Sequence, residues 1–127
     1  MIICDTDVMI DILRGHTSAI AWFHLLGNQQ VVLPGLVMME LLQGCKTKTE
    51  QQRLQKLLKD CPLLWPSSRA CSQALRHFST HYLSHGIGII DALISETAVE
   101  AGHPLHTFNQ KHYQPHLLLK TIQPYSR

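Results

Sequence analysis

The sequence predicts an α/β fold: a single three-layer α/β/α domain around a central, mainly parallel sheet of four to five strands. Three observations carry this expectation. Short apolar runs suited to strands recur at Ile2-Ile3-Cys4, Gln30–Leu33, Pro62–Pro66, Leu105–Phe108 and Leu118–Ile122. Longer segments with apolar residues three and four apart separate them, which is helical spacing. Strands that alternate with helices favour a parallel sheet, because parallel neighbours need a crossover between them.

The elements follow in order. Ile2-Ile3-Cys4 reads as a buried strand that delivers Asp5 at its C-terminal end. Asp7 follows on the turn, where it could cap the helix that starts at Val8 and stops near Gly15. His16 to Leu26 is a second helix with Ile20, Trp22, Phe23 and Leu26 as its apolar stripe, ended by Gly27-Asn28. Gln30–Leu33 is a strand broken by Pro34-Gly35, and Leu36–Gln43 is a helix ended by Gly44. Thr49-x-x-Gln52 resembles a capping box for the helix that carries Leu54, Leu57 and Leu58. Prolines frame a short strand at 62–66, and Ser67 or Ser68 caps a long helix carrying Cys71, Leu75, Phe78 and Tyr82. After Gly86-Ile87-Gly88, Asp91 opens a helix to Ala101, closed by Gly102, before the last two strands.

A chain of 127 residues is one domain, 1–127, able to bury roughly two-thirds of its unfolded surface. Hydrophobic residues make up 45% and charged residues 16%, which excludes a disordered chain. No apolar run approaches the roughly 20 residues a bilayer requires, and the N-terminus lacks a basic leader pattern. A cytoplasmic protein without membrane contact is the expectation. Cys4, Cys45, Cys61 and Cys71 show no C-x-x-C spacing, so reduced thiols are expected rather than a zinc site or a disulfide framework. A net charge of +2 neither demands nor excludes nucleic acid, since a metal-dependent nuclease combines an acidic site with a basic rim.

The acids carry the chemistry. Ligands of open parallel sheets bind beyond the carboxyl ends of strands, which is where Asp5 falls. Glu40 shares an otherwise apolar helix face with Val37, Leu41 and Gly44, so its carboxylate should point inward. Such a group needs a cation or donors to offset its desolvation. Asp91 lies near a helix N-terminus, which favours its ionised form. Converging carboxylates repel unless a cation neutralises them, and Mg²⁺ or Mn²⁺ does so with oxygen ligands while retaining water. A water activated by the metal can attack a phosphodiester.

These residues sit in four segments: Ile3–Asp11, Met38–Gly44, Ile90–Ser95 and His106–Tyr113. In content and order they resemble the motif blocks of PIN-domain ribonucleases, above all the VapC toxins of toxin–antitoxin pairs. The resemblance implies a Mg²⁺- or Mn²⁺-dependent endoribonuclease, the toxin of a type II system, that cleaves a structured cellular RNA (tRNA or rRNA). It also implies a cognate antitoxin and a homodimer. Carried over residue by residue, Asp5, Glu40 and Asp91 match the metal-binding acids, and Thr6 and Thr107 match positions lining the pocket. Asp7 and Asn109 are candidates to assist at the metal, through water or directly. Asn109 stands where many members have an acid, and His112 where a second acid often follows. Asp7 is an added carboxylate that could compensate in charge. The alternative is a PIN-like RNA-binding or interaction module with a weakened metal site.

Other features are less specific. Asp11 reads as a solvated helix residue or a partner behind the site. His77, His81 and His85 share one helix face at i, i+4 and i+8, a spacing that suits either a polar surface or a transition metal. Lys46 begins a basic stretch with Lys48, Arg53, Lys56 and Lys59, and Lys111, His112 and His116 flank the fourth block. Of these, Lys46, Lys111 and His112 are the candidates for contact with RNA phosphates.

Overall fold

Every strand of the computed structural model, which describes residues 1–127, runs parallel to its neighbours. The elements in order are β1 (Ile2–Cys4), α1 (Thr6–Leu13), α2 (Thr17–Leu25), β2 (Val31–Pro34), α3 (Gly35–Gln43) and α4 (Lys48–Leu57). Then come β3 (Leu63–Leu64), α5 (Ser68–His85), α6 (Ile89–Ala101), β4 (Leu105–His106), α7 (Gln110–Tyr113) and β5 (Thr121–Ile122). The sheet order is β3-β2-β1-β4-β5. β1 is therefore central, with Ile3 paired to Val32 on one side and to Leu105 on the other. The strand order reverses between β1 and β4, and right-handed crossovers then put the helices before and after the reversal on opposite faces. This gives the three-layer α/β/α arrangement.

A strand covered on both faces must be apolar throughout, and Ile3, Cys4, Leu33 and Leu105 are fully buried. Val8 of α1, Val37 of α3 and Ile94 of α6 join them in the main core. Each such aliphatic side chain contributes about 1.5–3 kcal/mol when removed from water. The long helix α5 packs chiefly along α6, where Ala74 and Ala92 allow close approach around Ile87. At the other edge Gly35 lies directly under the Trp65 ring, which leaves no room for a Cβ.

Several boundaries differ from the sequence expectation, each for a local reason. α1 starts at Thr6, two residues early, because Asp5 is its N-cap: its carboxylate accepts the Thr6 N–H at 2.8 Å. Asp7 therefore lies within the first turn and is not the cap. α6 starts at Ile89 behind Gly88, so Asp91 also lies in the first turn instead of opening the helix. The cap of α4 is Thr47, not Thr49. Its hydroxyl accepts the Glu50 N–H at 3.1 Å, and the Glu50 carboxylate accepts the Lys46 N–H at 2.9 Å. Thr47 prevails because the acid three residues on satisfies a second donor and favours the positive helix end. The β4 run ends at His106, and the 118–122 run forms a strand only at Thr121–Ile122. The short helix α7 was not expected.

The four cysteines are free. On α5, the His77 and His81 rings lie 4.7 Å apart and those of His81 and His85 5.3 Å. His77 also packs 4.5 Å from His116, whose Nε2 lies 2.6 Å from Glu96 Oε1. Nδ1 of His116 accepts the Leu118 N–H at 3.2 Å, so Nε2 carries the proton given to Glu96.

Candidate active site

The end of β1 places the first acid. Asp5 leaves the sheet beside the end of β4, and its N–H donates to the His106 carbonyl at 3.0 Å. This is the reversal point of the strand order, where open α/β sheets leave a crevice. Asp5 is only 4% exposed. Capping α1 occupies its Oδ1 and leaves Oδ2 for two hydroxyls, Thr107 at 2.9 Å and Tyr113 at 3.0 Å.

The Tyr113 hydroxyl reaches a second acid as well, lying 3.3 Å from Asp91 Oδ1. One hydroxyl proton serves one acceptor at a time, so Tyr113 stands between Asp5 and Asp91 and is shared by them. The other Asp91 oxygen lies 2.7 Å from His112 Nε2. Glu40, from α3, accepts the Thr6 hydroxyl at 2.8 Å. Thr6 thus binds Asp5 through its N–H and Glu40 through its side chain.

Asp7 borders this group. Its Oδ1 accepts the Val8 N–H at 2.7 Å. Its Oδ2 accepts the Phe108 N–H at 2.9 Å and lies 3.4 Å from the Thr107 hydroxyl. The first and last motif segments are joined at this point.

Burial, and then the charge of Asp7, pushes Asp5 up to about 6 from its ordinary 3.8, against the hydrogen bonds of Thr6, Thr107 and Tyr113. The Tyr113 hydroxyl is driven well above its usual range by burial first, then by the charges of Asp5 and Asp91, its bond to Asp5 and the charge of Glu40. All three acids act on one phenol.

The structure therefore brings Asp5, Glu40 and Asp91 together, with Thr6 and Thr107 lining the group and Asp7 beside it. Asn109 is exposed and its amide makes no hydrogen bond, while its N–H donates to the Thr107 hydroxyl at 3.0 Å. Lys111 and Lys46 are exposed and form no ion pair. His112 is exposed and bonds Asp91 through Nε2, and His116 is buried on Glu96. Asp11 is neither free nor simply solvated. Burial would raise its pKa, but hydrogen bonds from Tyr125 at 2.7 Å and Arg127 at 2.9 Å hold it below its ordinary value.

Sequence reasoning gave Tyr113 no role. An aromatic at the end of a four-residue helix carries no periodic signal; only its place as the last residue of the fourth segment pointed to the site.

The residues suit a hard divalent cation in donor type and charge. They offer carboxylate oxygens, and the Asp5 charge is disfavoured by burial and by Asp7. As drawn together here, no three His, Cys, Asp or Glu groups jointly reach one ion position. The hydroxyls of Tyr113 and Thr6 take the carboxylate lone pairs instead.

Known structures share this architecture. A toxin–antitoxin complex from Klebsiella pneumoniae contains a chain 20% identical, superposing with a TM-score of 0.77 over 100% of both chains. VapBC2 from Rickettsia felis, bound to a DNA fragment from its promoter, gives 24% identity and a TM-score of 0.77 over 96% of this chain and 98% of that one. VapBC-1 from nontypeable Haemophilus influenzae gives 22% and 0.76 over 98% of each. At these identities the likeness is one of fold. No curated protein matches the chain. The family model of the PIN domain, however, matches residues 2–116, a stretch that includes each acid of the site. With its acids gathered where the strand order reverses, this chain belongs to the PIN domain family.

Proposed function

We propose that this protein is a Mg²⁺- or Mn²⁺-dependent endoribonuclease of the VapC type, the toxin of a type II toxin–antitoxin pair acting in the cytoplasm. The observation that carries the reading is the Tyr113 hydroxyl within hydrogen-bonding reach of both Asp5 and Asp91, with Glu40 tied to Asp5 through Thr6. Membership of the PIN family and the likeness to chains of toxin–antitoxin complexes support it.

Asp5, Glu40 and Asp91 would hold the cation. When bound, the cation supplies an activated water and stabilises charge at the phosphodiester. Thr107 and Tyr113 fix the Asp5 carboxylate, and His112 fixes that of Asp91. Hydrolysis breaks one P–O bond of a structured RNA (tRNA or rRNA) and joins the water oxygen to phosphorus. An antitoxin partner and a homodimer accompany the reading. The likeness to chains of toxin–antitoxin complexes supports the first.

A second reading, an RNA-binding module without cutting, is favoured by the way Tyr113 and His112 occupy the acids. Incubation with total tRNA and rRNA in Mg²⁺, in Mn²⁺ and in EDTA, with mapping of new ends, separates the two. Specific new ends that need the divalent ion and vanish in Asp5→Asn, Glu40→Gln and Asp91→Asn are expected. RNA retention with no new ends in either metal would establish the module instead.

A further inference from the structure

We propose that Arg127 is a phosphodiester-binding residue at the rim of the acidic site, held in place by Asp11 and Phe108, and that it grips an RNA phosphate next to the one being cut. This rests on the ribonuclease reading above.

Asp5, Asp7, Glu40 and Asp91 repel a polyanion, so RNA needs a cation close by to approach them. The cations flanking the motif segments do not provide a fixed one. Lys46 and Lys111 are exposed on long stems with no partner to hold them. The imidazole of His112 is engaged with Asp91.

Arg127 is different. Its guanidinium carbon lies 4.1 Å over the Phe108 ring, and the Phe108 N–H is bonded to Asp7 at 2.9 Å. One residue therefore links the guanidinium to the edge of the acid group. The Arg127 and Asp7 charges are near enough to act on each other. Asp11 takes only Nε, at 2.9 Å, while also accepting the Tyr125 hydroxyl at 2.7 Å. Neither Nη has a hydrogen-bond partner, and the side chain is 46% exposed.

A bidentate pair would turn the two-pronged edge of the guanidinium onto its carboxylate. Here one point on Asp11 and the face on Phe108 fix the group, and the prongs stay free. That edge matches two phosphate oxygens, with its orientation already set. The segment that carries it is clamped as well, since Tyr125 packs 4.9 Å from Phe108 and 5.9 Å from Trp22. Because Phe108 separates Arg127 from the carboxylates, the phosphate it meets is a neighbour of the scissile one.

The test uses the full chain with Arg127→Gln and Arg127→Lys. Binding of a fluorescent RNA oligonucleotide is followed in EDTA against salt, and kcat and KM for cleavage are measured in Mg²⁺. Losing one phosphate contact should lower the slope of log K against log salt by about 0.7 to 0.9. For Arg127→Gln we expect that change, a roughly fivefold weaker Kd at low salt, and KM raised with kcat within about twofold. Arg127→Lys should keep the salt slope and lose part of the affinity. If Arg127→Gln keeps the wild-type slope and KM, the inference is overturned, and a lower Tm alone would then make Arg127 a strap for the terminal segment. A wild-type protein that neither binds nor cuts RNA would instead overturn the ribonuclease reading itself.

Discussion

Replacing Asp5 by Asn should separate stability from function. In the folded protein without metal, burial and Asp7 raise the Asp5 pKa to about 6 from 3.8. That rise corresponds to about 3 kcal/mol against the ionised form. The sign follows from proton binding: between those two values the folded state holds more of the proton than the unfolded state does. The Asp5 contribution is therefore complete below about 3.8 and lost as pH rises through about 6. At pH 7.5 the native state carries the full penalty. Asn has the same shape and no charge, and its carbonyl can keep the Thr6 N–H. Its amide must face Thr107 and Tyr113, whose hydroxyls would turn to accept and donate elsewhere, to Asp7 and Asp91. Allowing for that rearrangement, we expect metal-free Asp5→Asn to be about 1–2 kcal/mol more stable at pH 7.5, or about 4–8 °C in Tm. RNA cleavage should fall at least roughly a thousandfold, about 4 kcal/mol of barrier. Urea unfolding in EDTA from pH 4 to 7.5, taken as the difference between wild type and variant, isolates Asp5 from the other titrating groups. A flat difference across that range, or a variant less stable than wild type at pH 7.5, would refute the reasoning.

Two further outcomes follow from the same contacts. Tyr113→Phe removes the hydroxyl shared by Asp5 and Asp91 and leaves both acids with less compensation. Its metal-free stability at pH 7.5 should drop by about 1–2 kcal/mol, with a larger stabilisation by Mn²⁺ than in wild type, read by thermal melts with and without the ion. His116→Ala leaves Glu96, which is buried at the α5/α6 side, without the imidazole N–H it accepts, and should destabilise by about 1–3 kcal/mol while the cleavage per folded molecule stays at the wild-type level. A small loss in chemical unfolding would show that water reaches Glu96.

What was legible in the sequence, and what was not, divides along the kind of signal involved. Parallel strands sandwiched by helices require unbroken apolar runs, and Ile2-Ile3-Cys4 and Val31-Val32-Leu33 supply them. The placement of Asp5 followed from the end of such a run. Element edges were harder to read, because capping depends on a single side chain choosing between neighbours: Asp5 over Asp7, and Thr47 over Thr49. The 118–122 run looked like a strand by composition, yet Leu117 and Leu118 are largely exposed and only Thr121–Ile122 pairs with β4. Contacts that join distant segments left no local trace. Tyr113 on Asp5 and Arg127 on Asp11 span 108 and 116 residues, and no spacing rule reaches across such intervals.

The role of Asp7 shows how such a contact changes the chemistry. As an added carboxylate beside Asn109, it looked able to stand in for a missing acid. Both its oxygens, however, accept backbone N–H groups, from Val8 and Phe108. A carboxylate so engaged acts on the site through its charge and through the backbone it holds, with few lone pairs left over. Its charge raises the Asp5 pKa, and its bond to Phe108 fixes the segment that carries Thr107 on one side and the ring under Arg127 on the other. Asn109, exposed and with its amide in no hydrogen bond, adds no charge. The carboxylates with oxygens not committed to backbone N–H groups are then Glu40 and Asp91, with Asp5 contributing its Oδ2. On the proposed function, these three carboxylates would suit one cation that keeps several waters better than a pair of cations, which would call for a further bridging acid, and they would have to draw in from their present hydroxyl partners to hold it. In this reading Asp7 sets the energy of the site, and Asp5, Glu40 and Asp91 set its capacity.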